Sequence, residues 1–96
     1  MISTPKTKIV PLGQIVATPR ALEVIEDSGQ FPLEFIKLHQ NGNWGEISAE
    51  DWELNDKALE CGDRLLSCYT IKSGNRIWII TEADRSVTTI LLPEEY

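Results

Sequence analysis

The stretch from Arg64 to Leu92 constrains this chain more than any other. Its apolar residues recur with a period of two, and they fall on both sides of the strands. Ile77 and Ile79 point one way, and Trp78 and Ile80 the other; Val87 and Leu91 oppose Ile90 and Leu92. Three strands are expected, over Leu65–Ile71, Arg76–Thr81 and Ser86–Leu92. The turns between them are Lys72-Ser73-Gly74-Asn75 and Glu82-Ala83-Asp84-Arg85, and Pro93 ends the last strand. Such strands form an antiparallel meander with two apolar faces, and each face must be covered. Helices cover one. The second calls for the N-terminal arm, another helix or a second subunit, so a homodimer and a monomer with helices on both faces are both expected solutions.

Upstream of Arg64 the period is that of helices. Thr18-Pro19 is a cap followed by a first-turn proline, and Ala21, Leu22 and Ile25 share a face, so a helix is expected over 19–27 with Gly29 past its end. A second helix opens at Pro32 and runs to about Gln40. Its apolar face comprises Leu33, Phe35, Ile36, Leu38 and His39, and Asn41-Gly42-Asn43 ends it. Ser48-Ala49-Glu50-Asp51 has the form of a capping box and opens a third helix that Gly62 ends. Residues 12–17 read as a short strand or extended arm, and residues 1–10 as a mobile lead-in. The expected fold is therefore α+β. An N-terminal arm or short strand comes first, then three short helices, then a three-stranded antiparallel meander, with 11–96 as one domain. A chain of 96 residues has material for one core.

Charge is distributed unevenly. Residues 46–63 hold Glu46, Glu50, Asp51, Glu53, Asp56, Glu60 and Asp63 against Lys57 alone, which accounts for the whole net charge of −6. An acidic segment on an otherwise neutral chain repels phosphate backbones and attracts basic partners, so a basic protein partner is expected and a nucleic-acid partner is not. No apolar run approaches the roughly 20 residues of a membrane span. The N-terminal residues lack an apolar core behind Lys6 and Lys8, so the expected compartment is the cytoplasm, without a membrane. Cys61 and Cys68 read as two small buried hydrophobes rather than a disulfide or metal pair.

Few residues invite chemistry. His39, the single histidine, is expected near the C-terminus of the second helix, bonded to carbonyls. The tip from Glu82 to Arg85 is a polar turn in an apolar sheet. Trp78 reads as core. Trp44, in a Gly-flanked loop, reads either as an exposed partner anchor or as packing under the third helix. Nucleotide, zinc and nucleophile-elbow motifs are missing from the sequence, so no cofactor and no metal are expected.

Several stretches resemble a family of short, mostly uncharacterised bacterial proteins of plasmids and other mobile elements. They are LGQIVATPRAL (12–22), PLEFIKLH (32–39), Gly42-Asn43-Trp44-Gly45, ELNDKAL (53–59), RLLSCY (64–69) and IWIITEADRSVTTILLPEEY (77–96). Asn43 stands where members carry Asp, and Phe31 where they carry a small polar residue. Members are sometimes labelled plasmid-related or type I restriction methylase subunit. A methylase needs a doubly wound sheet and a base pocket, for which this chain has no room. The resemblance implies a compact domain and a mobile-element setting, and it supplies no catalytic residue.

Three functions compete. The first is a non-catalytic interaction protein that binds a basic partner through Trp44, Glu50, Asp51, Glu53 and Asp56. The second is a small metal-independent ribonuclease or toxin-like enzyme drawing on His39, Arg64, Tyr69, Arg76, Glu82 and Arg85. The third is a homodimeric scaffold.

Overall fold

The computed structural model describes residues 9–96. In chain order it contains β1 (Gln14–Ala17), α1 (Pro19–Asp27), α2 (Pro32–Gln40), α3 (Ala49–Cys61), β2 (Leu65–Thr70), β3 (Arg76–Thr81) and β4 (Val87–Leu91), followed by a 3-10 turn at Pro93–Glu95. Local chemistry explains the helix ends. The Thr18 hydroxyl accepts from Ala21 N–H at 3.1 Å and Ser48 from Asp51 N–H at 3.0 Å, each satisfying a first-turn donor. Phe31 has no side-chain oxygen, and there the Glu34 carboxylate reaches back to the Phe31 N–H at 2.9 Å.

The α+β class stands, but the three-stranded antiparallel meander is corrected to a four-stranded mixed sheet of order β1-β4-β3-β2. β2, β3 and β4 pair antiparallel, while β1 lies parallel to β4 in the register Gln14↔Val87 to Ala17↔Ile90. Gln14 N–H bonds Ser86 O at 2.9 Å and Thr18 N–H bonds Ile90 O at 3.0 Å. These partners lie on opposite sides of all three helices in the sequence, so no local pattern announces the pairing. Its cause is the flank of β4, whose backbone groups need partners once β3 has taken the other side.

The register sorts the two faces. Leu65, Ser67, Tyr69, Ile77, Ile79, Thr81, Thr88 and Ile90 share one face, against which Ala21 and Ile25 of α1 and Phe35 and Ile36 of α2 complete the core. α2 buries Phe35, Ile36 and His39, while Leu33 and Leu38 of the expected broad apolar face remain exposed. On the second face Cys68, Ile80 and Leu91 are buried outside that core. Tyr96 leans across it, edge-on to Trp78 at 5.4 Å, with its hydroxyl accepting from Arg64 Nη1 at 2.7 Å. Trp78 is therefore half-buried rather than central. Cys61, expected inside, is exposed.

The lead-in expected over 1–10 lies mostly outside the described residues. Of its last two, Ile9 is exposed, whereas Val10 is buried and donates its N–H to Gln40 O at 2.8 Å.

The two sheet edges differ. Along β2, the Asn55 side-chain amide acts as a short strand, donating to Leu66 O at 2.7 Å and accepting from Leu66 N–H at 3.2 Å. Next to it the chain at Trp44–Glu46 pairs with Cys68 through Cys68 N–H to Trp44 O and Glu46 N–H to Cys68 O. Gly45, at φ 79°, permits this approach, because a Cβ there would enter Cys68 O and the Tyr69 ring. Gly62 has a similar φ of 82° with open space around it. Gly45→Ala is therefore expected to cost more than roughly 3 kcal/mol by urea unfolding, and Gly62→Ala about 1–2 kcal/mol, the left-handed penalty alone. Equal losses would remove the steric argument.

Candidate functional site

His39 is the natural first candidate for chemistry, and its surroundings decide what it can do. The ring is completely buried, corrected from a helix-end histidine bonded to carbonyls. Its Nδ1 lies 2.5 Å from Ser67 Oγ and its Nε2 2.8 Å from Thr81 Oγ1. Thr81 Oγ1 lies 2.7 Å from Thr88 Oγ1, and Thr88 donates to Leu12 O at 2.8 Å. The carbonyl at the end of this chain sets every proton before it. Thr88 spends its hydroxyl hydrogen on Leu12 O, so it accepts from Thr81. Thr81 then has no hydrogen left for the imidazole and must accept from Nε2–H. Nδ1 is the acceptor, and Ser67 donates to it. The ring is thus neutral with its proton on Nε2. Burial, with Arg85 nearby as a lesser cause, lowers its pKa from 6.5 to about 4, which agrees with that assignment.

A serine hydroxyl donating to a histidine is half of a nucleophilic site. Here Ser67 and His39 are both sealed from solvent, and the second ring nitrogen meets a threonine rather than a carboxylate. The arrangement fastens α2 to β2, β3 and β4, and it presents no reactive atom at a surface.

The other enzyme candidates are dispersed. Arg64 Nε meets Glu82 Oε1 at 3.4 Å, and the Arg64 guanidinium also holds Tyr96. Arg85 sits at φ 61° and donates its guanidinium to three carbonyls, Ala58 O at 3.0 Å, Asp63 O at 2.6 Å and Glu82 O at 3.2 Å, and not to the Glu82 carboxylate. It thereby serves the carbonyl end of α3, where a cation opposes the helix dipole. Tyr69 is buried and donates to Asn43 O, and burial pushes its pKa up to about 12. Arg76 is exposed at the far end of β3. The structure joins Arg64 to Glu82 and leaves His39, Tyr69 and Arg76 apart from them.

The expected partner-binding residues divide as well. Trp44 is completely buried, its ring edge-on to His39 at 5.5 Å and its Nε1–H donating to Asp56 Oδ1 at 3.0 Å. The reading of Trp44 as an exposed anchor is corrected accordingly. The Gly-flanked loop folds inward because its backbone pairs with Cys68, and the indole N–H finds a carboxylate on α3. Asp56 thus has a structural duty. Glu50, Asp51 and Glu53 are exposed. Glu50, Glu53 and Asp56 line a shallow groove together with Ile47, Ala49 and Trp52. Trp52 is half-buried and packs on the core with one side. A second, smaller depression on the other side of Ile47 is lined by Asp51, Leu54, Asn55 and Leu66. Ile47 and Trp52 were not expected to belong to a site. Their signal was an apolar residue on either side of the Ser48 cap, inside the acidic run.

Among the described residues no cluster of three or more His, Cys, Asp or Glu side chains could hold a metal ion, and no helix is long and apolar enough to cross a membrane. Comparison with family models, with curated proteins and with solved structures finds no match.

His39 generates a test with a definite sign. The unfolded chain takes up a proton on this ring near pH 6.5 and the folded chain only near pH 4, so stability is fully present above pH 6.5 and declines as pH falls through that interval. Unfolding by urea is expected to show the protein about 2 kcal/mol less stable at pH 5 than at pH 7, with His39→Gln flattening the slope. The same slope in both proteins would place the titration elsewhere.

Proposed function

We propose that the protein is a non-catalytic interaction domain that offers α3 to a basic protein partner. The observation that carries this reading is the groove on α3, in which the half-buried Trp52 indole and Ile47 form an apolar floor and Glu50, Glu53 and Asp56 supply carboxylates around it. An Arg or Lys side chain matches that arrangement chemically. Its aliphatic stem lies on the floor, its cation meets the indole face, and its head reaches the carboxylates. The groove belongs to the segment that carries the chain's net charge, so long-range attraction and local fit act on the same partner. Glu50 and Glu53 stand three residues apart on one helix, where like charges disfavour the helix by a few tenths of a kcal/mol. A partner's cation would relieve that repulsion. The cytoplasm and a mobile-element setting belong to the same proposal, the latter resting on the resemblance of the sequence. The acidic surface argues against a nucleic-acid partner. No specific observation favours the ribonuclease or toxin-like alternative.

Asp56 anchors Trp44, so the informative substitutions spare it. Glu50→Gln with Glu53→Gln is expected to leave stability within about 0.5 kcal/mol of the parent. The same pair should weaken binding of an Arg/Lys-rich peptide roughly tenfold at low salt, and the difference should shrink at high salt. Isothermal titration calorimetry of both proteins reads the comparison. Unchanged affinity in the double variant would overturn the proposal.

A further inference from the structure

β1 is the one strand whose outer edge is bare among the described residues, and its chemistry selects what would pair with it. Gln14 and Thr18 direct their N–H groups to β4, so by strand alternation Ile15 and Ala17 turn their N–H and C=O groups outward. The strand reads Gln-Ile-Val-Ala and carries none of the devices that blunt an edge, neither charge nor proline. Ile15 is 48 % exposed and Val16 38 %, and they lie on opposite faces. The opposite edge of the same sheet is closed by Asn55 and by Trp44–Glu46.

We propose that β1 pairs antiparallel with β1 of a second copy of this chain, making one continuous eight-stranded sheet. The outward groups are spaced for a two-fold axis. With Val16 facing Val16 of the second copy on the axis, Ile15 and Ala17 of each chain face Ala17 and Ile15 of the other, and four backbone hydrogen bonds form. Pro19, which has no N–H, and Gly13, which leaves the extended conformation at φ 63°, limit the pairing to this strand. Charge favours the same partner. α3 packs on β2, at the far edge of the sheet, so the pairing places the two acidic helices at opposite ends of the dimer. A chain of net charge −6 meets its copy through a strand with no charge of its own. Four residues a side bury little surface compared with the roughly 1,200–2,000 Å² of a standard interface, so the dimer is weak and concentration-dependent.

The test uses sedimentation velocity on the full chain from about 10 to about 500 µM, a range suited to a small interface. The protein is expected to shift from monomer towards dimer across that range. Val16→Lys and Val16→Glu each set two like charges on the axis and are expected to stay monomeric while keeping the parent's circular dichroism. Mixed in equal amounts they are expected to recover the dimer. Hydrogen exchange on the unmodified protein is the companion measurement, and the Ile15 and Ala17 amides are expected to gain protection with concentration. A monomer at every concentration, or a dimer that both variants keep and in which these amides exchange freely, overturns the proposal; the second result would move the contact to another surface, such as that of Phe31 and Leu33 at the start of α2. None of these readings involves Glu50 or Glu53, so this proposal and that of the basic partner fail separately.

Discussion

The line of hydrogen bonds from Ser67 through His39, Thr81 and Thr88 to Leu12 O is the constraint around which the rest is arranged. Its members come from α2, three strands and the segment before β1, and each is completely or almost completely buried. A buried donor or acceptor left unpaired costs about 1–3 kcal/mol, so a shift of any one element would strand a polar group in the core. Among the described residues no buried side-chain nitrogen or oxygen lacks a partner. The polar line thus selects one position of α2 on the sheet, where apolar packing alone would tolerate several. It also suits the neutral histidine that burial favours, since a second proton on Nδ1 would displace the hydrogen that Ser67 donates there.

Around that centre the molecule is asymmetric from edge to edge. At the β2 edge the backbone is satisfied by a side-chain amide and by a loop that needs Gly45, and α3 packs there with the carboxylates. Arg85 ties the hairpin between β3 and β4 to the C-terminal end of that helix. Of that polar turn, Arg85 is therefore committed to holding the end of α3 in place. The β1 edge carries no comparable cover among the described residues. One edge of the sheet is thus closed beside the carboxylates of α3, and the other has no backbone partner among the described residues.

What was legible in the sequence was local. α1 and α2 were readable to the residue because Thr18-Pro19, Pro32 and Asn41-Gly42 each determine a helix end within a few positions. The hairpins were readable from Gly74 and from the change of period. The parallel strand was not, because its partner is supplied by β4 from beyond the three helices. His39 was misplaced, and Trp44 was left open between exposure and the packing under α3 that it shows, for the same reason. Both carry polar atoms, and whether such a residue goes inside depends on partners (Asp56, Ser67, Thr81) that lie 12 to 42 positions away. The acidic groove was half legible. Charge density marked Glu50 and Glu53, whereas Trp52 as its floor required knowing which side of α3 meets the core.

The parallel pairing of β1 with β4 bears on how the chain is made. β1 precedes the three helices and β4 follows them, so during synthesis β1 leaves the ribosome well before its mate is translated. Until then an uncharged apolar strand has both edges open, and such non-local sheets are slow to close and prone to wrong partners. The helices between them can form early from their own caps, which leaves docking of β1 and closure of the Leu12–Thr88 contact as the natural late steps of folding.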